Sequence, residues 1–221
     1  MAKPIQQRDI HAWQPLSVPE VVAVMRGATV PWWIAGGWAI DLYLGRQTRP
    51  HGDTDVLVLR RDQLAIQQHL CRWHLYKTGQ PTPSRLAPWP EGEFLKRETG
   101  INDIWIKNEV GRPWRLQLMF MESEGERWVF RRDERIGGRI DELGWQTSEG
   151  VPVLRPEIQL LYKGRLADRR PKDDADFAAV LPHLATSQWT WLAKGLKQQF
   201  GDTHPWLERL SKQTSGPSEP D

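Results

Sequence analysis

The pattern of apolar and polar positions divides this chain into a sheet-forming portion followed by a helical one. Ser17-x-x-Glu20 ahead of VVAVM is a capping-box signature, with Ser17 accepting from the backbone and Glu20 reaching back, and it predicts a helix over residues 18–28. Pro31 interrupts that helix, and the large apolar run Trp32–Ala35 reads as a short strand. Gly36 and Gly37 end the strand, and Trp38–Leu44 follows as a helix closed by Gly45 at a C′ position. A polar loop, 46–52, leads into Val56–Leu59, whose unbroken apolar character suits a strand covered on both faces. Arg61-Asp62 opens a second amphipathic helix with Leu64, Ile66 and Leu70 on its buried side. Prolines and weak periodicity mark Thr78–Glu93 as a loop. Ile101–Lys107 and Trp114–Met121 are strand-like runs joined by NEVGRP, which fits a β-hairpin with a longer loop, and Trp128–Arg131 and Gly150–Leu154 add short extended pieces.

Beyond Arg155 the spacing turns helical. Pro156 suits a first helical position, and EIQLLYKGRLA keeps its apolar groups on one side. Another helix begins near Pro171-Lys172-Asp173, where acidic residues favour the N-terminal end of the dipole, and a third covers Trp189–Phe200. The last stretch, SKQTSGPSEPD, lacks core-forming residues and is expected to be a disordered tail. The expected fold class is α+β: a mixed sheet with flanking helices over 1–154, a helical region over 155–210 and a tail over 211–221.

Composition narrows the function classes. With 221 residues the chain can bury a sizeable core, and its formal charge of +2 gives no strong polyelectrolyte signature for nucleic acid. A single cysteine, Cys71, excludes an internal disulfide framework and a cysteine-based zinc site. A reducing cytoplasmic setting is expected, since the N-terminal residues show no secretory pattern, and no apolar run approaches the roughly 20 residues needed to cross a bilayer. Thirteen tryptophans are scattered without a period, so most are expected to pack in cores rather than stack on a substrate.

The candidate chemistry lies in Trp32–Leu59. Alternate residues of a strand project from one face, so Asp53 and Asp55 can direct two carboxylates at one point. Mg²⁺ suits such a pair, because it takes one or two protein carboxylates and fills its other positions with substrate phosphates. Gly36 and Gly37, lacking side chains, would let backbone N–H groups approach phosphates at a helix start, although a tight strand-to-helix turn alone also uses glycine. The expected co-substrate is a nucleoside triphosphate.

Strand, Gly36-Gly37, helix, loop, Asp53-x-Asp55, strand: this order resembles the nucleotidyltransferase superfamily, with its polymerase-β-like fold. The string GGWAIDLYLGRQTRPHGDTDVLV is similar to the branch that includes aminoglycoside 2″-adenylyltransferases and lincosamide nucleotidyltransferases, with Gly45, Arg46, Thr48, Arg49, His51, Asp53 and Asp55 matching a recurrent G-R-x-T-R-x-H-x-D-x-D element. The resemblance implies ATP as co-substrate, Mg²⁺ held by Asp53 and Asp55, and Arg49 on the triphosphate. It also implies a third carboxylate on a later strand, where this chain has Gln117, and an amide is no base. Asp103 is a substitute if the hairpin pairs residues whose numbers sum to about 220, and Glu122 at the strand's end is another.

PEIQLLYKGRLADRRPKDDADF carries a second likeness, the K…KDxxD element of several nucleotidyltransferase groups, RNA-modifying toxins among them. It implies Lys163 and Lys172 as phosphate contacts and Asp173 or Asp176 as a supporting acid; without that context these are an exposed helix lysine and a charged first turn. The leading expectation is transfer of a nucleoside monophosphate to a small-molecule hydroxyl, with an antibiotic as the implied acceptor class. A polycationic aminoglycoside would need an acidic recess, for which Glu91, Glu93 and Glu98 are available. The alternatives are transfer to RNA, which requires Arg127, Arg131, Arg132, Arg135, Arg139 and Arg165, Arg169, Arg170, Lys172 to converge on one face, and a degenerate nucleotide-binding protein.

Overall fold

The computed structural model describes residues 11–79, 86–167 and 169–213. α1 (Val18–Met25) carries the expected capping box at Ser17 and Glu20, and stops before Gly27, whose φ of 80° no helix continues. β1 (Trp32–Ala35) runs into α2 (Gly36–Leu44), and Gly45 closes that helix in the left-handed region with its N–H on the Asp41 and Leu42 carbonyls. β2 (Asp55–Leu59) and α3 (Gln63–His69) follow. Ile66 and Leu70 are buried as expected, but Leu64 is 38% exposed because it faces away from the sheet.

The expected loop 78–93 contains structure. β3 (His74–Thr78) enters it and pairs with β4 (Leu86–Pro88), an edge strand that tolerates proline, while part of that loop lies outside the described residues. β5 (Asp103–Lys107) and β6 (Leu116–Glu124) form the expected antiparallel hairpin. β7 (Arg127–Val129), β8 (Gly137–Arg139), β9 (Gly144–Gln146) and β10 (Pro152–Leu154) are three-residue strands, too short for a sequence rhythm. Among the described residues the main path of the sheet is β4-β3-β5-β6-β2-β1-β10-β9, with β7 and β8 extending from β6. β2 is parallel to β6 and β1 to β10, whereas β1 and β2 are antiparallel, so the sheet is mixed.

α4 (Pro156–Lys163), α5 (Pro171–Val180), α6 (Thr186–Phe200) and α7 (Pro205–Gln213) complete the chain. Ser211–Gln213, assigned to the expected tail, continue α7; the rest of that expectation, residues 214–221, lies outside the described residues.

Strand alternation assigns the two faces of the sheet. Ile34, Val56, Val58, Ile104, Ile106 and Leu118 pack with α1 and α3, whereas Trp33, Ala35, Leu57, Leu59 and Met121 pack with the four C-terminal helices in one continuous core. Asp55 shares the parity of Leu57 and Leu59, so the carboxylate projects toward the C-terminal helices. That core is anchored by Trp206, which stacks on Phe177 at 4.2 Å and donates from Nε1 to Asp174 at 2.7 Å. Replacing Trp206 with Ala is expected to cost about 3–5 kcal/mol, read as a lowered urea midpoint, because the vacated volume lies between packed helices.

Candidate active site

The site begins where β1 turns into α2. Ala35 lies opposite Asp55 across the antiparallel pair, so the Gly36 turn and the start of β2 meet at the same end of the sheet. Gly36 has φ of 66°, and a Cβ there would overlap Asp55 Oδ2 and lie 2.8 Å from its Cγ. A Cβ on Gly37 would overlap the His51 ring and approach Arg49 Nη2 to 2.7 Å. The glycines therefore make room for the functional side chains themselves. The Gly36 N–H is also committed, donating to Gln159 Oε1 at 2.7 Å, which removes that group from the expected anion cradle.

Buried Asp41 organises the loop that delivers Arg49. Its carboxylate accepts from the Thr48 N–H at 3.0 Å and hydroxyl at 2.5 Å and meets His51 Nε2 at 2.5 Å, while the imidazole packs on Trp38 at 4.6 Å. Arg49 Nη1 donates to His51 Nδ1 at 3.1 Å, which leaves the proton of the neutral ring on Nε2, facing Asp41. His51 is thus a buried support for Arg49. Arg49 then grips Asp176 through two bonds of 3.0 Å.

Lys163, at the end of α4, lies 2.7 Å from Asp176 and 3.3 Å from Asp173, and Arg170 binds Asp173 at 2.8 and 3.1 Å. Burial alone would raise both carboxyls, but the bonds from Arg49 and Lys163 to Asp176, and from Arg170 and Lys163 to Asp173, outweigh it and hold them below the usual range. These aspartates are counter-ions that hold the cations in place; their oxygens are already taken, and neither is among the cavity-lining residues. Removing Asp176 leaves Arg49 and Lys163 under-compensated, so Asp176→Ala is expected to destabilise by about 3–5 kcal/mol. Because the folded carboxyl titrates below its unfolded value, the wild-type contribution is present above about pH 4 and lost as pH falls through the folded value. Melting curves of Asp176→Asn should accordingly lack part of the wild-type acid limb.

These groups enclose a cavity of about 190 Å³ between the sheet and the C-terminal helices. Its acids are Asp53, Asp55 and Asp103. Burial, reinforced by the neighbouring charges of Asp53 and Asp103 and opposed by Lys163 and Lys172, pushes Asp55 up to about 7. Burial likewise raises Asp103, against Arg131, Arg165 and the Gln117 hydrogen bond. The hairpin pairs Asp103 with Met119, a sum of 222 rather than 220. A two-residue slip preserves facing, so Asp103 and Gln117 still share a side, and Gln117 Nε2 donates to Asp103 Oδ1 at 3.2 Å. Glu122 is elsewhere: it accepts from Arg60 Nε at 2.7 Å and does not line the cavity.

Carboxylates crowded in a buried recess are the donor chemistry a hard divalent cation fits, since the cation would offset the repulsion that raises Asp55. No group of three His, Cys, Asp or Glu in ligating arrangement occurs among the described residues, so any such ion would draw part of its shell from substrate oxygens or water.

Of the arginine clusters, Arg131, Arg165, Arg170 and Lys172 converge on the cavity beside Arg49 and Lys163. Arg135 and Arg139 are paired with Asp133 and Asp141, and Arg127 bonds the carbonyls of Glu134 and Arg135. The acidic recess does not form: Glu93 pairs with Lys77 at 2.6 Å, and Glu91 lines a separate cavity of about 600 Å³ between α3 and β3, away from the aspartates. Glu98 lines neither cavity. No tryptophan is among the residues lining the smaller cavity. Gln159 escaped sequence reasoning entirely, since a helix glutamine carries no signal for a turn 123 residues away.

A family model described as aminoglycoside-2''-adenylyltransferase matches residues 17–92, the stretch that holds both glycines and both aspartates of the motif. A 2''-aminoglycoside nucleotidyltransferase of Klebsiella pneumoniae is 46% identical over 39 residues, which is 18% of this chain and only 22% of that relative's length. The crystal structure of ANT(2")-Ia in complex with adenylyl-2"-tobramycin superposes with a TM-score of 0.51 at 15% identity, covering 82% of this chain and 95% of the other. The solution structure of ANT(2'')-Ia gives 0.51 at 15% identity, covering 89% and 95%. The chain thus has the nucleotidyltransferase fold, and its motif region resembles the aminoglycoside-2''-adenylyltransferase branch of that superfamily.

Proposed function

We propose that this chain is a nucleotidyltransferase that moves a nucleoside monophosphate, AMP from ATP, onto a hydroxyl of a small molecule and releases pyrophosphate. The observation that carries this reading is the placement of half-buried Asp55 against Gly36 in a cavity that Asp53, Asp103, Lys163 and Lys172 also line. Asp53 and Asp55 would hold Mg²⁺. That ion, when bound, supplies neutralisation of charge on the transferring phosphoryl group and acidifies the attacking hydroxyl.

The chain's own groups account for the rest. Lys163 and Lys172 act as point charges on the triphosphate, with Lys163 held by Asp173 and Asp176. Arg49, clamped by Asp176 and His51, presents a rigid guanidinium at the same cavity. Gln117 fixes Asp103 Oδ1, leaving Oδ2 to accept the hydroxyl proton. The acceptor oxygen forms a bond to the α-phosphorus as the bond to the bridging oxygen breaks, and pyrophosphate leaves with the electron pair.

The test is pyrophosphate release by purified protein with ATP, Mg²⁺ and a panel of hydroxyl compounds. Aminoglycosides enter that panel first, because a solved protein of this fold holds an adenylylated one, and a role in antibiotic resistance follows if they are modified. Release that is abolished by chelator is expected. ATP binding without release for any acceptor would instead favour a nucleotide-binding protein that has lost transfer, the reading to which Gln117 lends weight.

A further inference from the structure

The cations of the cavity fall into two groups. Lys163 and Lys172 act on Asp55, and Arg49 and Arg170 on Asp53, and three of these four are held by the buried pair Asp173 and Asp176. Arg131 and Arg165 act instead on Asp103, which lies on β5, separated from β1 by β6 and β2. Among the described residues neither has an ion-pair partner within 4 Å, and Arg131 lies over the Tyr162 ring at 5.9 Å.

Arg132 stands behind this wall. Its guanidinium sits over Phe130 and Tyr162 at 5.5 and 5.6 Å, donates once to the Tyr162 carbonyl, and leaves Nη1 buried without a partner. Burial, with the like charges of Arg165 and Arg131, pushes it down to about 10. Two guanidiniums over the Tyr162 ring with a third, Arg165, lining the same cavity, and no carboxylate bound to any of them among the described residues, form a preorganised anion receptor. A protein maintains such an arrangement at a cost in stability, and a bound anion offsets it.

The triphosphate already has its own cations on the glycine side. We infer that the acceptor hydroxyl compound itself carries an anionic group, a phosphate ester, which Arg131 and Arg165 hold on the Tyr162 side while Asp103 faces the hydroxyl. This inference rests on the nucleotidyltransferase reading and assigns the acceptor's charge class within it. A polycationic acceptor would meet like charge on that wall, a penalty that counts against binding.

The experiment saturates the full chain with Mg²⁺ and α,β-methylene ATP, which cannot transfer, and measures binding of four probes by calorimetry: ribose 5-phosphate, a 5′-phosphorylated ribotrinucleotide, ribose and kanamycin. The phosphate-bearing probes are expected to bind at least about tenfold tighter than ribose or kanamycin, and to lose that advantage in Arg131→Gln and Arg165→Gln, while the Kd of the ATP analogue moves less than about twofold. The ratio between sugar phosphate and trinucleotide tells a small ester from a polynucleotide end. Tighter binding of kanamycin, or no preference for phosphate by the wild-type protein, overturns the inference without touching nucleotidyl transfer. So does an equal loss of analogue affinity in the two variants, which would give the wall to the triphosphate. If the analogue fails to bind, the nucleotidyltransferase reading falls instead, and the phosphate comparison is then read on the free protein.

Discussion

Asp55→Asn is expected to lower nucleotidyl transfer about a thousandfold or more while making the free protein more stable at pH 8. The loss follows from the several kcal/mol of charge stabilisation that a carboxylate-held divalent ion contributes to such a reaction. The gain follows from burial, which together with Asp53 and Asp103 raises Asp55 to about 7 from an ordinary value of 3.8. Because the folded-state value lies above the unfolded one, the folded protein holds a proton that the unfolded chain releases between roughly pH 4 and pH 7. The wild-type protein should therefore lose stability as pH rises through that window, and Asp55→Asn should lack this slope. Thermal melts at pH 8 without metal should place the variant above the wild type by about 2–4 °C per kcal/mol relieved. Addition of Mg²⁺ and ATP should narrow or reverse the order, since the wild type gains more binding energy in the folded state than a variant that has lost one of its two ion-holding carboxylates. A variant that melts below the wild type at pH 8 and still transfers nucleotide would remove Asp55 from the site.

Gly36→Ala is expected to be the most damaging substitution that leaves every charge in place. At φ of 66° a side chain costs about 1 kcal/mol of backbone strain, and the added methyl would overlap Asp55 Oδ2. Either Asp55 rotates away or the turn shifts, and the turn is tied to Gln159 by the Gly36 N–H. Displacement of a reacting group by about 1 Å can cost on the order of 100-fold in rate, so transfer should fall by at least that factor. The expected signature is a fall in kcat, with the far-UV spectrum unchanged and the melting temperature lowered by only a few degrees. Gly45→Ala offers the contrast: it has a similar φ, 66°, with nothing within 4 Å of the added methyl. It should therefore share the strain and spare the activity.

Legibility in the sequence tracked how local each feature is. The capping box at Ser17, the strand at Trp32, the αL stop at Gly45 and the run Val56–Leu59 are written in neighbouring residues, and the fold carries each of them. The hairpin was legible as a pair of strands but not to the residue, because its connection allows more than one register. An even slip preserved the facing of Asp103 and Gln117. Glu122, by contrast, is committed to Arg60, a contact between residues 62 apart that no local pattern announces. Asp173 and Asp176 were visible as an acidic helix start, but their use as counter-ions for Lys163, Arg170 and Arg49 depends on how α4, α5 and the loop before β2 pack. The basic groups at the cavity came from clusters whose members part company in space, with Arg131 and Arg165 turning inward and Arg135 and Arg139 outward. No composition argument could have divided them.

The latch between Gln159 and Gly36 joins residues 123 apart, and the clamp between Asp176 and Arg49 joins residues 127 apart. Closure over such separations is slow relative to local helix and hairpin formation. A nascent chain halted near residue 154 would display the Asp53-x-Asp55 motif with neither its glutamine latch nor its opposing cations. On the proposed reading, chemical competence arrives with α4 and α5 during synthesis, and a chain that stops short of them lacks the groups that would hold a triphosphate.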